Sequence, residues 1–274
     1  MKAACQLVRV FDKPQEAQGN QAMVFFEGNP IDLPHERTRI SADIYKQKGI
    51  ATTCFISELM RGQYEVQCFN DTKAIQCCGH GMIAAAKTIF SDSNLSSIII
   101  NGNITASRNM DETGQDKVAL ILPRLSARLQ AVPHWAREII TFDGETRLPN
   151  KAAVSTQDDG YLLLEFKPAL SSEVFRTMKL DLKTVCENTK HAIVVVQFDQ
   201  DKQLLYMRYF APQYGVLEDS ATGSVMRFVG DYIEQRYQIV HFDVSQCSPQ
   251  GGFMTVECKA ENIIITANAS MEAN

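Results

Sequence analysis

Two short turns hold the side chains best suited to chemistry: Gln76–Cys77–Cys78–Gly79–His80–Gly81 and Glu218–Asp219–Ser220–Ala221–Thr222–Gly223–Ser224. His80 is a side chain that exchanges protons near neutral pH. Cys78 is a nucleophile or base when ionised, and a thiol at a helix start is favoured as thiolate; the alternative is an inert, buried thiol. Asp219 can handle a proton or orient a substrate, or else cap a helix. Each turn runs into an apolar helical pattern, Met82 to Phe90 after the first and Val225 to Ile233 after the second. Helix N-termini carry unpaired N–H groups and the positive end of a dipole. The spacing predicts anion sites at Gly79 and Gly81 and at Thr222, Gly223 and Ser224, and a small anionic ligand held between two helix ends.

The elements that must position these turns are mostly strands. Apolar alternation predicts strands at Ala4 to Phe11, Ala22 to Phe26, Thr52 to Ser57, Tyr64 to Phe69 and Ser97 to Ile100. A second set is expected at Lys117 to Leu122, Tyr161 to Phe166, Ala192 to Phe198, Leu204 to Phe210, Phe253 to Cys258 and Asn262 to Thr266. One further helix, Pro34 to Lys48, opens on proline and stops before Gly49. The two turn-led helices are apolar on most faces, which predicts helices wrapped by sheet. The polar run Asp111 to Asp116 reads as a boundary between domains 1–115 and 116–259. A weak internal repeat agrees with it: Cys78–Gly81 can be laid over Ser220–Gly223, and Gly19–Phe25 over Thr189–Val195.

Composition narrows the function classes. The chain has 274 residues, 45% apolar, with a net charge of −5. No dense Lys/Arg stripe argues for nucleic acid, and no segment has the length of a membrane span. Eight cysteines lack the Cys-x-x-Cys spacing of a metal site, and Cys5, Cys54, Cys68 and Cys258 fall in apolar runs. Reduced thiols and a cytoplasmic location are expected. No P-loop, dinucleotide fingerprint or zinc cluster is present, so no cofactor and no metal is expected.

The run Arg208 to Ser224 closely resembles the R-x-F-x-P-x-x-G-x-x-E-D-x-x-T-G-S signature of the PhzF family, the phenazine-biosynthesis isomerase and its homologues. Cys78–Gly79–His80 resembles its C/A-G-H motif. Gly19–Asn20–Gln21–Ala22–Met23–Val24–Phe25–Phe26 is similar to its G-N-P-x-A-V-F-F opening, with Gln21 for proline, and Gln250–Gly251–Gly252 fits its late Q-G element. The resemblance implies an α/β (α+β) fold like that of diaminopimelate epimerase. Two pseudo-symmetric domains would each wrap a mixed, largely antiparallel sheet around a central helix, and the final strand, about residues 260–270, would return to the first domain. It further implies a cofactor-independent isomerase acting by proton transfer on a small carboxylate in the interdomain cleft, and a homodimer.

Carried over residue by residue, the family motifs make His80, Asp219 and Cys78 the catalytic candidates. Asn20, Thr52, Gly79, Gly81, Thr222, Gly223 and Ser224 are the substrate-binding candidates. The family's acid/base glutamate is Thr52 here, within Ile50 to Ile56, and a second family glutamate is Ala74. A threonine hydroxyl does not replace a carboxylate near neutrality. Two outcomes stay open: another carboxylate, such as Asp43, Glu58 or Asp71, fills the gap, or the chain is a weakened or inactive carboxylate-binding homologue. The related epimerases use facing cysteines; Cys78 matches one and Ser220 stands for the other.

Overall fold

The computed structural model describes residues 5–26, 34–110, 114, 116–156, 160–167 and 170–272, so the expected boundary run at 111–116 lies largely outside the described residues. The chain divides into two compact units, Met1–Leu122 with Ile264–Asn274, and Pro123–Ile263.

In the first unit the strands are β1 (Cys5–Val10), β2 (Asn20–Phe26), β3 (Thr53–Met60), β4 (Gln63–Phe69), β5 (Ala74–Ile75), β6 (Ser97–Ile100), β7 (Ile104–Met110) and β8 (Asp116–Pro123). Their order is β1-β2-β3-β4-β6-β7-β8, with β5 on β4. The chain's last strand, Asn262–Glu272, bonds to both β8 and β1, so the sheet closes on itself. Closure removes the exposed edges that a strand would otherwise present. Two neighbours in this ring are parallel, β2 with β3 and β4 with β6, and a parallel pair needs a crossover. Helix α1 (Pro34–Lys48) supplies the first and helix α2 (Gly79–Ser91) the second. Every residue of α2 except Lys87 and Ser91 is buried, and the helix packs on β1, β2, β3, β4 and β7.

The second unit contains β9 (Ala127–Gln130), β10 (Ile140–Phe142), β11 (Glu145–Thr146), β12 (Lys151–Ser155), β13 (Tyr161–Phe166), β14 (Lys179–Leu180), β15 (Ala192–Asp199), β16 (Leu204–Phe210), β17 (His241–Gln246) and β18 (Gly252–Cys258). Its helices are α3 (Ser172–Arg176), α4 (Leu182–Asn188) and α5 (Met226–Tyr237). The main sheet runs β18-β17-β16-β15-β13-β12-β9, and α5 packs against β18 and β9, the two ends of that order. A three-stranded sheet, β11-β10-β14, stands apart from it. Strand β13 is covered on both faces. Leu162, Leu164 and Phe166 join a core with Phe142, Phe175 and Val185, while Tyr161 stacks on Phe228 of α5.

The expected strands are all present; Ser97–Ile100, Tyr161–Phe166 and Leu204–Phe210 have the expected ends, the others are shifted at one or both ends, and the last runs on to Glu272. The division at Leu122/Pro123 falls one strand later than the expected 115/116, because β8 is hydrogen-bonded to β7 along its length and belongs to the first sheet. From Ile264 onward the last strand belongs to the first unit. All eight cysteines are free; Cys54, Cys68 and Cys258 are buried, but Cys5 is only half-buried.

Glu165 points from β13 toward α5 and is 2% exposed. It accepts hydrogen bonds from the hydroxyls of Tyr232 (2.7 Å) and Tyr237. Burial, reinforced by Glu165, pushes both phenols above their ordinary range. Below about pH 10 the tyrosines are protonated in folded and unfolded chains alike, and this stabilisation is complete. Above it the unfolded chain ionises first, so stability falls as pH rises. Tyr232→Phe should cost about 1–3 kcal/mol in urea unfolding at pH 7 and flatten the loss measured above about pH 10.

Candidate functional site: two helix starts

In the first unit, Cys78 is the N-cap of α2, in an extended conformation with no side-chain cap bond. The first helical bond runs from the Met82 N–H to the Cys78 carbonyl at 3.0 Å. The N–H groups of Gly79 and Gly81 therefore have no partner among the described residues. His80 is 8% exposed, with Nδ1 3.6 Å from the Cys78 sulfur. Beneath this turn lie three thiols. Cys54 and Cys68 are opposite each other across β3 and β4, with sulfurs 3.3 Å apart. A Cβ on residue 81 would lie 2.6 Å from the Cys68 sulfur, 2.8 Å from Cys54 and 3.1 Å from Cys78, so only glycine lets the helix start sit on them.

Of the two readings of Cys78, this packing favours the inert, buried thiol. The hydrogen bond with Cys68, followed by burial, pushes Cys78 well above the ordinary thiol range, against the opposing pull of His80. The thiol form is held at neutral pH, and the helix dipole does not overcome the missing solvation. Cys77 is half-buried, and Cys78 is the buried member of the pair.

Asn20 and Thr52 stand at the starts of the parallel neighbours β2 and β3. Gly19 ahead of Asn20 has φ +71°, and a Cβ there would collide with the Val10 carbonyl, which accounts for that motif glycine. Thr52 is buried, and its carbonyl accepts the Met23 N–H at 3.0 Å. The next side chain, Thr53, is also enclosed, and its hydroxyl has no partner among the described residues. Asp43, Glu58 and Asp71 are all exposed, and Glu58 accepts from the Tyr64 hydroxyl at 3.2 Å.

In the second unit the turn is clamped from both sides. Arg208 of β16, 6% exposed, donates from Nε and Nη2 to the two Glu218 oxygens at 2.7 Å each. Its Nη1 donates to the carbonyls of Met178 and Arg176, and its guanidinium lies 5.3 Å from the Phe210 ring centroid. The R-x-F…E spacing is thus a two-point ion pair with an aromatic shelf. Glu218 is committed to it. Asp219 follows, half-buried, and its Oδ2 accepts the Thr222 hydroxyl at 2.6 Å. The N-cap of α5 is Val225, so Asp219 does not cap that helix.

Thr222 differs from the two residues that follow it. Its N–H donates to Gln246 Oε1 at 2.7 Å and its hydroxyl to Asp219, so both donors are taken within the protein. The N–H groups of Gly223 and Ser224 and the Ser224 hydroxyl have no partner among the described residues. Gln246, at the end of β17 and fully buried, also donates to the Asp219 carbonyl at 2.6 Å. Ser220 donates to Gln250 at 3.2 Å, and its carbonyl accepts from Ser248 at 2.7 Å. Gln246 and Ser248 escaped the sequence reading because the strand His241–Gln246 was not expected; only the nearby Gln250–Gly251–Gly252 signalled this wall.

Gln246 holds Asp219 and Thr222 through opposite ends of one amide. Gln246→Met should leave the Thr222 N–H and the Asp219 carbonyl unpartnered and cost about 2–5 kcal/mol in denaturant unfolding.

Comparison with known proteins agrees with these motifs. The profile of the PhzC-PhzF family, described as phenazine biosynthesis-like protein, matches residues 8–271. An uncharacterized isomerase of Vibrio cholerae is 26% identical over 234 residues, covering 84% of this chain and 77% of that protein. A PhzF-family crystal structure from Enterococcus faecalis superposes with a TM-score of 0.80 at 18% identity, over 100% of this chain and 98% of the other. A hydroxyproline epimerase from Agrobacterium vitis, bound to trans-4-hydroxy-L-proline, reaches 0.59 at 10% identity, over 98% and 91%. The fold is thus a mixed α+β fold like that of the PhzF and epimerase structures, mostly sheet with few helices, and the chain belongs to the PhzC-PhzF family.

Proposed function

We propose that this chain is a cofactor-independent isomerase that moves a proton on a small carboxylic acid held between the two helix starts of pseudo-symmetric halves. The observation that carries this reading is the half-buried Asp219 carboxylate. Thr222 and Gln246 hold its turn directly before the open N–H groups of Gly223 and Ser224. Those donors, with Gly79 and Gly81, would bind the substrate carboxylate, since amides need no ionisation to do so. His80 and Asp219 would exchange the proton, one removing it from carbon and the other returning it. Acid–base work of this kind needs two proton carriers, and a thiol held protonated does not supply one. The isomerase of Vibrio cholerae and the ligand of the Agrobacterium vitis epimerase, a ring bearing a carboxylate, support the class.

Thr52 favours a second reading, a homologue that binds carboxylates with little turnover. The enclosed family position holds a hydroxyl, and Asp43, Glu58 and Asp71 are exposed.

Solvent-deuterium exchange separates the two. Incubation in D2O with a panel of small hydroxylated, cyclic and unsaturated carboxylic acids, read by proton NMR, should show exchange at the reacting carbon. Either His80→Ala or Asp219→Asn should lower the rate by about 10²–10⁴-fold. Silence across the panel, followed by a clear gain in Thr52→Glu, would establish the binding homologue instead. The homodimer that the family resemblance implies should sediment at twice the 30.6 kDa chain mass.

A further inference from the structure

The second unit contains a cavity of about 500 Å³ that neither helix start lines. Its floor is one rung of the sheet. Arg128 of β9 stands opposite Val154 of β12, and Val154 stands opposite Leu162 of β13. One wall carries Trp135, from a single helical turn at His134–Ala136. The other wall carries Asn188 and His191, from the segment that leaves α4. The His191 ring is held in place, with Nδ1 3.0 Å from the Thr189 hydroxyl. Asn188 donates its amide back to the Thr184 carbonyl at 2.9 Å.

The lining has one chemical bias. Among the described residues it includes an arginine and a histidine and no carboxylate. Arg128 is exposed and forms no ion pair among the described residues. A guanidinium matches both oxygens of a carboxylate, and an indole face takes a planar ring. The volume lies within the range of small-molecule sites, about 300–1,000 Å³. The bland alternative is a water-filled groove at the sheet edge, which would bind nothing saturably. We propose that this cavity is a second ligand site, for a small planar ring bearing a carboxylate, with the carboxylate on Arg128 and the ring against Trp135. It does not depend on the proton-transfer reading.

Trp135 is the only tryptophan of the chain, so its fluorescence reports on this cavity directly. The probe is benzoate, compared with cyclohexanecarboxylate, benzyl alcohol and inorganic phosphate, with calorimetry run in parallel. Benzoate should shift the Trp135 emission saturably, cyclohexanecarboxylate should bind more weakly, and the other two should not saturate over the same range. Arg128→Gln should weaken benzoate about tenfold or more, with an unchanged circular dichroism spectrum because Arg128 is exposed. Asp219→Asn should leave benzoate binding unchanged. The proposal is overturned if benzoate fails to saturate by both methods, or if Arg128→Gln binds it as tightly as the natural chain. It is also overturned if benzyl alcohol or phosphate binds as tightly as benzoate, or if Asp219→Asn abolishes the signal.

Discussion

A helix enclosed by strands leaves the N–H groups of its first turn and the carbonyls of its last without intrahelical partners, and the first of these constraints bears most on this protein. Helix α2 is buried along nearly its whole length inside a closed sheet. Its N-cap, Cys78, offers no oxygen to the free N–H groups. Left without a partner in a dry site, such groups cost about 1–3 kcal/mol each. A helix start of this kind is stable when water or an anion reaches it, and the anion is favoured by the dipole. The packing that makes the helix a core element thus leaves at its start the donors on which the proposed carboxylate site rests.

The second helix start depends on a different device, a loop pinned by an ion pair. Removing one partner of a buried pair typically costs about 3–5 kcal/mol, because the other charge is left without solvent. Arg208 and Glu218 are both well enclosed and share two hydrogen bonds, and Arg208 donates two more to the carbonyls of Arg176 and Met178. With the chain fixed at Glu218, the next residue has little freedom, and Gln246 removes what remains by gripping the Asp219 carbonyl. The acid of the proposed reaction is therefore positioned by its backbone as well as by its side chain. Rigid support of this kind is what an acid–base group needs to be effective at one reacting carbon.

The thiols beneath α2 illustrate how context reverses an intrinsic tendency. A cysteine at a helix start is the residue type expected to ionise. Cys78 instead meets Cys68, and Cys54 lies beyond it, so the charge would have to form among neutral sulfurs without water. The hydrogen bond with Cys68 and then burial raise the Cys78 thiol against the opposing pull of His80. Gly81 is the counterpart of this cluster, a residue without a side chain where three sulfurs already fill the space.

Much was legible in the sequence because it is local. Alternation of apolar residues marks strands such as Tyr161–Phe166 and Leu204–Phe210 to the residue, and proline and glycine bracket Pro34–Lys48. The signature from Arg208 to Ser224 also survives as a linear motif, since Arg208 and Glu218 come from one strand and the loop after it. Short or interrupted elements, among them His241–Gln246, Ala127–Gln130 and α4, carry too little periodicity to stand out. Pairings distant in sequence were beyond it for another reason. Nothing local marks Gln246 as the partner of Asp219 and Thr222, or brings Cys54 and Cys68 under Cys78. The types of the reactive residues were thus determined by the sequence itself. Whether Cys78 ionises, and which donors of the Thr222–Ser224 turn stay open, was decided by tertiary structure, because burial and hydrogen-bond partners arise only when distant strands close around the helices.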